Sequence, residues 1–402
     1  MKILIVNKFL HPNGGSETYI FKIGEQLQKM NHEVQYFGME HEGRIVGNRL
    51  EEYTSDMDFH SGKLEKFLYP LKIIYSREAK AKMLKILEDF EPDVVHLNNF
   101  NFQLTPSIIY AVKKYEKKLK RRIRIVYTAH DSQLVCPNHL MQNPITHQCC
   151  EECLRKGTWQ CAKRKCIHGS RLRSLFGTIE SQIYKRLKTY EKLDTVICPS
   201  QFLKNKLDTD PVLRKKTVML RNFVEVPVQL KDVQKRDYVL YFGRYSEEKG
   251  IRTLLKACEN LPDISFHFVG KGPLQNQVEQ VRNVKNFGFL TGGELAKEIS
   301  EARFAVCPSE WYENCPFTVM EAQIYKTPVI GTNLGGIPEL LIEGKTGELF
   351  ESGNEKMLTE KIKKLWTSPE LLQKYTDNCE KVRFDNLEEY VLKLLKIYQP
   401  KG

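Results

Sequence analysis

No stretch of 18 uninterrupted apolar residues occurs in this 402-residue chain, so no transmembrane helix is expected. The opening Met1–Asn7 is apolar for only a few residues before polar ones interrupt it. That is too short for a secretory signal, and a cytoplasmic protein is expected. No G-x-G-x-x-G follows the first predicted strand, so a dinucleotide fingerprint is absent. No carboxylate stands out as the nucleophile that a retaining hydrolase would use. Acid is scarce in one region: residues 101–200 hold 7 Asp/Glu against 19 Lys/Arg. The formal net charge of +12 is therefore regional. It points to an anionic surface or partner beside that segment, or to solvated Lys-rich helices.

What is present suggests two α/β domains, since the length exceeds one ordinary core. Strand-like and helix-like segments alternate through both halves, which predicts two doubly wound sheets. The clearest stretch is Cys307–Glu321. An apolar strand over 303–307 leads into a loop, and Pro316 stands where a helix would begin. Glu313 lies in the loop and Glu321 one turn inside the helix. A helix N-terminus offers free N–H groups to phosphate, and carboxylates beside it accept hydrogen bonds from hydroxyls. That combination suits a nucleotide-sugar.

Along the chain, strand 2–6 precedes Gly14-Gly15-Ser16 and a helix from about 17 to 29, with Ser16 as its expected N-cap. Residues 40–75 show no clear pattern. A helix near 77–90, a strand over 92–97 and a helix over 106–120 lead to strand 123–127, which delivers His130 and Asp131. A His at the carboxyl end of a parallel strand stands where open α/β sheets place ligands. A helix over 178–192 and strands 195–198 and 218–220 complete the first domain, and 228–237 reads as a linker. The second domain opens with a strand and the turn Gly243-Arg244, followed by Lys249-Gly250. Two cations near a helix start can hold a diphosphate. Strand 264–269, Gly270-Lys271-Gly272, a helix to 282 and a short strand 286–290 follow. Gly335-Gly336 is expected to start a further helix. Helices near 354–366, 369–382 and 386–398 end the chain, the last amphipathic.

Six of the 11 cysteines fall within residues 136–166. Cys150-x2-Cys153 and Cys161-x4-Cys166 have metal-ligand spacing. A structural zinc on Cys150, Cys153, Cys161 and Cys166 is the expectation, with Cys136 as the substitute ligand. Free thiols and disulfides are the alternatives.

Glu313, seven residues, then Glu321 resembles the E-x7-E motif of retaining glycosyltransferases of family 4. The segment Gly243-Arg244-x4-Lys249-Gly250 resembles that family's diphosphate-binding element, and Gly14-Gly15 its first glycine-rich loop. The resemblance covers nearly the whole chain. It implies a GT-B fold, two Rossmann-like domains facing a cleft. An acceptor domain would span 1–227, with a Cys-rich insert at 136–168 and the helix of about 384–402 packing back onto it. A nucleotide-sugar domain would span 235–383. The resemblance makes His130, Arg244, Lys249 and Glu313 catalytic. It makes Gly15, Gly243, Gly272, Gly288, Asn314, Cys315, Pro316, Phe317 and Glu321 donor-binding, with Glu313 on the sugar and Glu321 on the ribose. It implies transfer without a catalytic metal from a UDP-, GDP- or dTDP-sugar to a saccharide or polyprenyl-linked acceptor, in cell-surface polysaccharide synthesis. Residence at the inner face of the membrane is the matching expectation. The rival readings are a sugar-nucleotide epimerase, a phosphorylase, or a zinc-stabilised module that binds nucleic acid or membrane; the preferred reading involves no nucleic acid.

Overall fold

β1 (Lys2–Val6) carries Ile3, Leu4, Ile5 and Val6 with no exposure at all, as a strand covered on both faces requires. The computed structural model describes residues 1–55, 74–225 and 233–399. β1 sits inside a six-stranded parallel sheet with β2 (Glu33–Phe37), β3 (Val94–Leu97), β4 (Arg124–Thr128), β5 (Thr195–Cys198) and β6 (Thr217–Met219), in the order β2-β1-β3-β4-β5-β6. The order reverses between β1 and β3. The carboxyl ends of those strands and of β4 therefore open onto the crevice where such sheets bind ligands. Asn7, Asn98 and His130 follow these three ends.

A second parallel sheet has the order β12-β11-β10-β7-β8-β9. Its strands are β7 (Arg236–Phe242), β8 (Phe266–Val269), β9 (Val284–Asn286), β10 (Ala302–Cys307), β11 (Val329–Thr332) and β12 (Gly347–Phe350). Here the reversal falls between β7 and β10, whose ends deliver Gly243-Arg244 and Pro308-Ser309. Each sheet has its own apolar core, around Leu4, Ile86, Val95, Ile109 and Ile125 in the first and Val239, Leu254, Phe268, Phe304 and Ile362 in the second.

The chain divides into two units, one of Met1–Ile145, Cys150–Arg221 and Leu387–Gly402, the other of Thr146–Cys149 and Asn222–Asn386. The last helix, Leu387–Tyr398, belongs to the first unit. Tyr390 there hydrogen-bonds to Tyr19 at 2.7 Å, the Tyr398 hydroxyl meets His96 Nδ1 at 2.7 Å, and Arg124 donates to the Ile397 carbonyl at 2.7 Å.

Several local expectations are corrected. The first helix is Gly15–Lys29 and Gly14 holds its cap position. Ser16 lies inside it, and its hydroxyl turns to Glu17 Oε1 at 2.8 Å. The helix expected over 178–192 runs from Arg171 to Arg186, capped by Ser170, and a separate 3-10 turn covers Thr189–Lys192. The helix after Gly272 is only Gln275–Val278, and the strand expected over 286–290 ends at Asn286. Gly335-Gly336 starts no α-helix, only the 3-10 turn Ile337–Glu339, because Pro338 and the bend of Gly335 tighten the chain. Of the expected linker, 226–232 lie outside the described residues and β7 already starts at Arg236.

Candidate functional site

In the second unit the chemistry gathers at the end of β10. Glu313 is buried, and its Oε1 receives three donors: Lys249 Nζ at 2.5 Å, Ser309 Oγ at 2.8 Å and Trp311 Nε1 at 2.8 Å. Burial pushes the Glu313 carboxyl up, but Lys249 with the Trp311 and Ser309 bonds outweighs it, and the group is held below its ordinary value. Burial likewise pulls Lys249 down, and Glu313 more than restores it. The pair is therefore fully ionised at neutral pH. Lys249 also lies over the Trp311 ring, 5.0 Å from its centroid.

Two glycines permit this convergence. Gly250 has φ +70°, and a Cβ there would stand 1.9 Å from the Pro308 carbonyl oxygen. Gly335 has φ +64°, and its Cβ would come within 2.4 Å of the Glu313 carbonyl oxygen. Both positions combine left-handed backbone with close approach, which only glycine meets without strain. Gly336 N–H then donates to that same Glu313 carbonyl at 2.6 Å.

The helix Phe317–Ile324 begins directly after Pro316, whose ring offers no capping acceptor. Its first N–H groups carry the positive end of the helix dipole. Glu321 is half-buried on this helix, and burial raises its carboxyl to about 7. Cys315 is buried, its sulfur 3.9 Å from Met320 Sδ. The Arg244 side chain is exposed beyond β7, while its carbonyl accepts from Tyr241 at 2.8 Å. Gly243 reaches φ +151°, and Gly272 lies so close to Tyr245 that a Cβ would meet its carbonyl at 2.3 Å. Gly288, φ +67°, is tied by its N–H to Asn286 Oδ1 at 2.9 Å. Lys249, Glu313 and the 335–336 turn are thus joined by direct contacts, whereas Arg244, Gly272 and Gly288 lie on neighbouring strand ends.

In the first unit His130 follows β4. Its Nε2 lies 2.9 Å from Asn98 Oδ1, and the Tyr19 ring stands edge-on at 5.0 Å. Burial lowers His130 to about 4, so the ring is neutral, and the Asn98 contact assigns the proton to Nε2. Asp131 Oδ2 meets His139 Nδ1 at 3.3 Å, and burial of Asp131 is outweighed by that partner. Gly15 heads the first helix, where Glu17 is buried and its Oε1 accepts from Asn7 Nδ2 at 2.9 Å. Sequence reasoning missed Asn98, Tyr19, Ser309 and Trp311. Only Trp311, two residues before a site carboxylate, carried a signal worth reading.

The four-cysteine zinc set is not assembled. Among the described residues no three His, Cys, Asp or Glu side chains stand together as a metal site needs. Cys136 meets Cys153, Cys161 meets Cys166, and Cys136 lies close enough to Cys161 to act on it electrostatically. Cys150 hydrogen-bonds through its backbone to Met141 at 2.6 Å. Two Asp-x-Asp spacings also occur. Asp56 and Asp58 lie outside the described residues. Asp208 pairs with Lys204 at 2.5 Å, and Asp210 caps the helix Pro211–Arg214.

Comparison with known proteins gives the same outline. Residues 13–226 match the family described as Glycosyltransferase Family 4, and 225–382 match Glycosyl transferases group 1. An uncharacterized glycosyltransferase of Methanocaldococcus jannaschii is 28% identical over 240 residues, 58% of this chain and 67% of that protein. Sulfoquinovosyl transferase of Arabidopsis thaliana is 31% identical over 137 residues, 33% of this chain and 27% of that protein. The chain thus spans between about a quarter and two thirds of the length of these relatives. Among solved structures, HepE of Anabaena in complex with UDP superposes with a TM-score of 0.66 at 17% identity, covering 99% of both chains.

Proposed function

Because this chain belongs to glycosyltransferase family 4 and has the GT-B fold, we propose that it moves a sugar, with retention of configuration, from a nucleotide-sugar to a saccharide or lipid-linked saccharide acceptor. The observation that carries this reading is the ionised Lys249–Glu313 pair at the end of β10, beside the helix that starts at Phe317. A departing nucleoside diphosphate needs donors aimed at its developing charge. Arg244, Lys249 and the N–H groups at the start of Phe317–Ile324 supply them from the chain itself, so the proposed mechanism uses no divalent cation. Glu313, fixed by Ser309 and Trp311, presents a carboxylate to the sugar hydroxyls, and Glu321 accepts from the ribose. His130 is a neutral hydrogen-bonding group toward the sugar rather than a cation. The UDP bound by the Anabaena structure supports a uridine donor for this chain. A role in cell-surface polysaccharide assembly is supported by the basic excess of 101–200, which suits an acceptor presented at an anionic membrane.

The test is a thermal-shift panel of UDP-, GDP- and dTDP-sugars, followed by anomer analysis of the product formed from the stabilising donor. Stabilisation by one donor class and a product of unchanged anomeric configuration support the proposal. An inverted product, or release of an epimerised nucleotide-sugar from donor alone, would replace it with another GT-B chemistry.

A further inference from the structure

A helix on a folded surface ordinarily sends its apolar stripe inward. The helix Arg171–Arg186 does the reverse, burying Ser174, Gly177, Thr178, Glu180 and Tyr184. The small side chains on that inner face let the preceding segment close on it. Ser174 Oγ accepts from the Ile167 N–H at 2.9 Å, and Thr178 Oγ1 donates to the Thr158 carbonyl at 3.3 Å. A Cβ on Gly177 would stand 2.4 Å from Ile167 Cδ1. The large apolar side chains fall on the opposite face. Leu172, Leu175, Phe176, Ile179 and Ile183 recur there at helical spacing, and Leu187 follows the last turn. Leu172 is 62% exposed, Leu175 38% and Leu187 55%, while Phe176, Ile179 and Ile183 are half-buried. Trp159, half-exposed, borders the helix, since the neighbouring Thr158 hydroxyl accepts from Gln182 Nε2 at 2.6 Å.

An apolar stripe about 22 Å long, from Leu172 to Leu187, marks a surface that a partner covers. Its charge selects the partner. Arg171 and Arg173 are exposed at one end, and Lys185, Arg186 and Lys188 at the other. The one acid of the helix, Glu180, is on the buried side. A second copy docked by two-fold symmetry would set these cations against one another. An anionic bilayer supplies both missing parts, phosphates for the cations and an acyl boundary for the leucines. We propose that the helix Arg171–Arg186 lies in the plane of an anionic lipid surface, with Leu172, Leu175 and Leu187 entering the acyl boundary and the terminal cations on lipid phosphates. This rests on the reading of 101–200 as a region that faces an anionic membrane, and it adds the apolar face that a charge count cannot supply.

The experiment floats the full chain with vesicles of phosphatidylcholine, alone or mixed with phosphatidylglycerol. The natural protein should float with the mixed vesicles and not with phosphatidylcholine alone. Leu172→Ser combined with Leu187→Ser should lower partitioning about tenfold, and Lys185→Glu with Arg186→Glu should lower it at least as much. Both leucines are mostly exposed, so the unfolding curve should not move. Ile342→Ser, which removes an apolar side chain 52% exposed in the second unit, should leave partitioning unchanged. Flotation that the cation change abolishes and the leucine change leaves intact would keep the charge attraction and overturn the docking face. No flotation with the mixed vesicles would overturn both. A lipid-free dimer that the leucine change dissociates would assign the stripe to a second copy and overturn the proposal. Sugar transfer to a soluble acceptor should be equal in the natural protein and the leucine variant, so the vesicle result and the transferase reading fail separately.

Discussion

Glu321 and Glu313 differ by environment alone. Glu313 has three donors on one oxygen and is held ionised. Glu321 is raised to about 7 by burial. A carboxyl whose folded value lies above its unfolded value stabilises the fold fully below the unfolded value, near 4.5. That contribution is lost as pH rises towards 7. Glu321→Gln should therefore stabilise the ligand-free protein at pH 8 by about 1 kcal/mol, allowing for its partial exposure. The same change should weaken nucleotide-sugar binding roughly tenfold by removing the ribose acceptor. Affinity in the natural protein should rise between pH 6 and 8 as the carboxylate ionises, and calorimetric titration of both proteins across that range checks it. Lost pH dependence with unchanged affinity at pH 8 would separate Glu321 from the ribose.

At the scale of elements, the helix Leu387–Tyr398 is a structural part of the first unit. Leu387, Tyr390, Val391, Leu394 and Tyr398 are buried. A chain of contacts runs from Tyr390 through Tyr19, Thr128 and His96 to Tyr398. Both nitrogens of His96 are engaged, and burial lowers the ring to about 3. A His with a depressed folded value stabilises above its unfolded value, near 6.5. That contribution is lost as pH falls below it. Between pH 7 and 5 it amounts to roughly 2 kcal/mol. Tyr398→Phe would leave His96 Nδ1 without its partner and should cost about 1–3 kcal/mol. Urea unfolding at pH 7 and 5 measures both, and a Tyr398→Phe protein as stable as the natural one would contradict the contact. This helix was legible as amphipathic, and nearly every buried strand announced itself as an apolar run. β12 was not readable, because Gly347-Glu348-Leu349-Phe350 follows a turn and its buried Glu348 is satisfied by Lys361, Lys364 and the Tyr375 hydroxyl. The insert was not readable either, since Cys spacing in sequence says nothing of which thiols meet after two short helices. At the site, Lys249 and Glu313 were legible from local motifs. Their mutual bond and the Asn98–His130 contact depend on distant strands coming together, which no local pattern encodes.

For the whole molecule, charge and chemistry divide along the chain. The basic excess lies in 101–200, although part of it is matched locally: Lys118 meets Glu88 at 2.6 Å, Lys113 meets Glu116 at 2.8 Å, and Arg122 meets Asp194. Among the described residues no helix is long and apolar enough to cross a membrane. If the remaining cations face lipid, each contributes about 1 kcal/mol. The protein should then float with anionic liposomes at low salt and be released at high salt. Equal binding to neutral liposomes would show that the region is a solvated face. The central claim, that the second unit holds a donor diphosphate and the chain transfers its sugar, is tested most directly through Arg244. Its guanidinium is exposed and can be removed without disturbing the core. The measurement is kcat/KM for sugar transfer in the natural protein and in Arg244→Ala, with unfolding curves as the control. The account predicts a loss of about 10²-fold or more at unchanged stability; full activity in Arg244→Ala would contradict it.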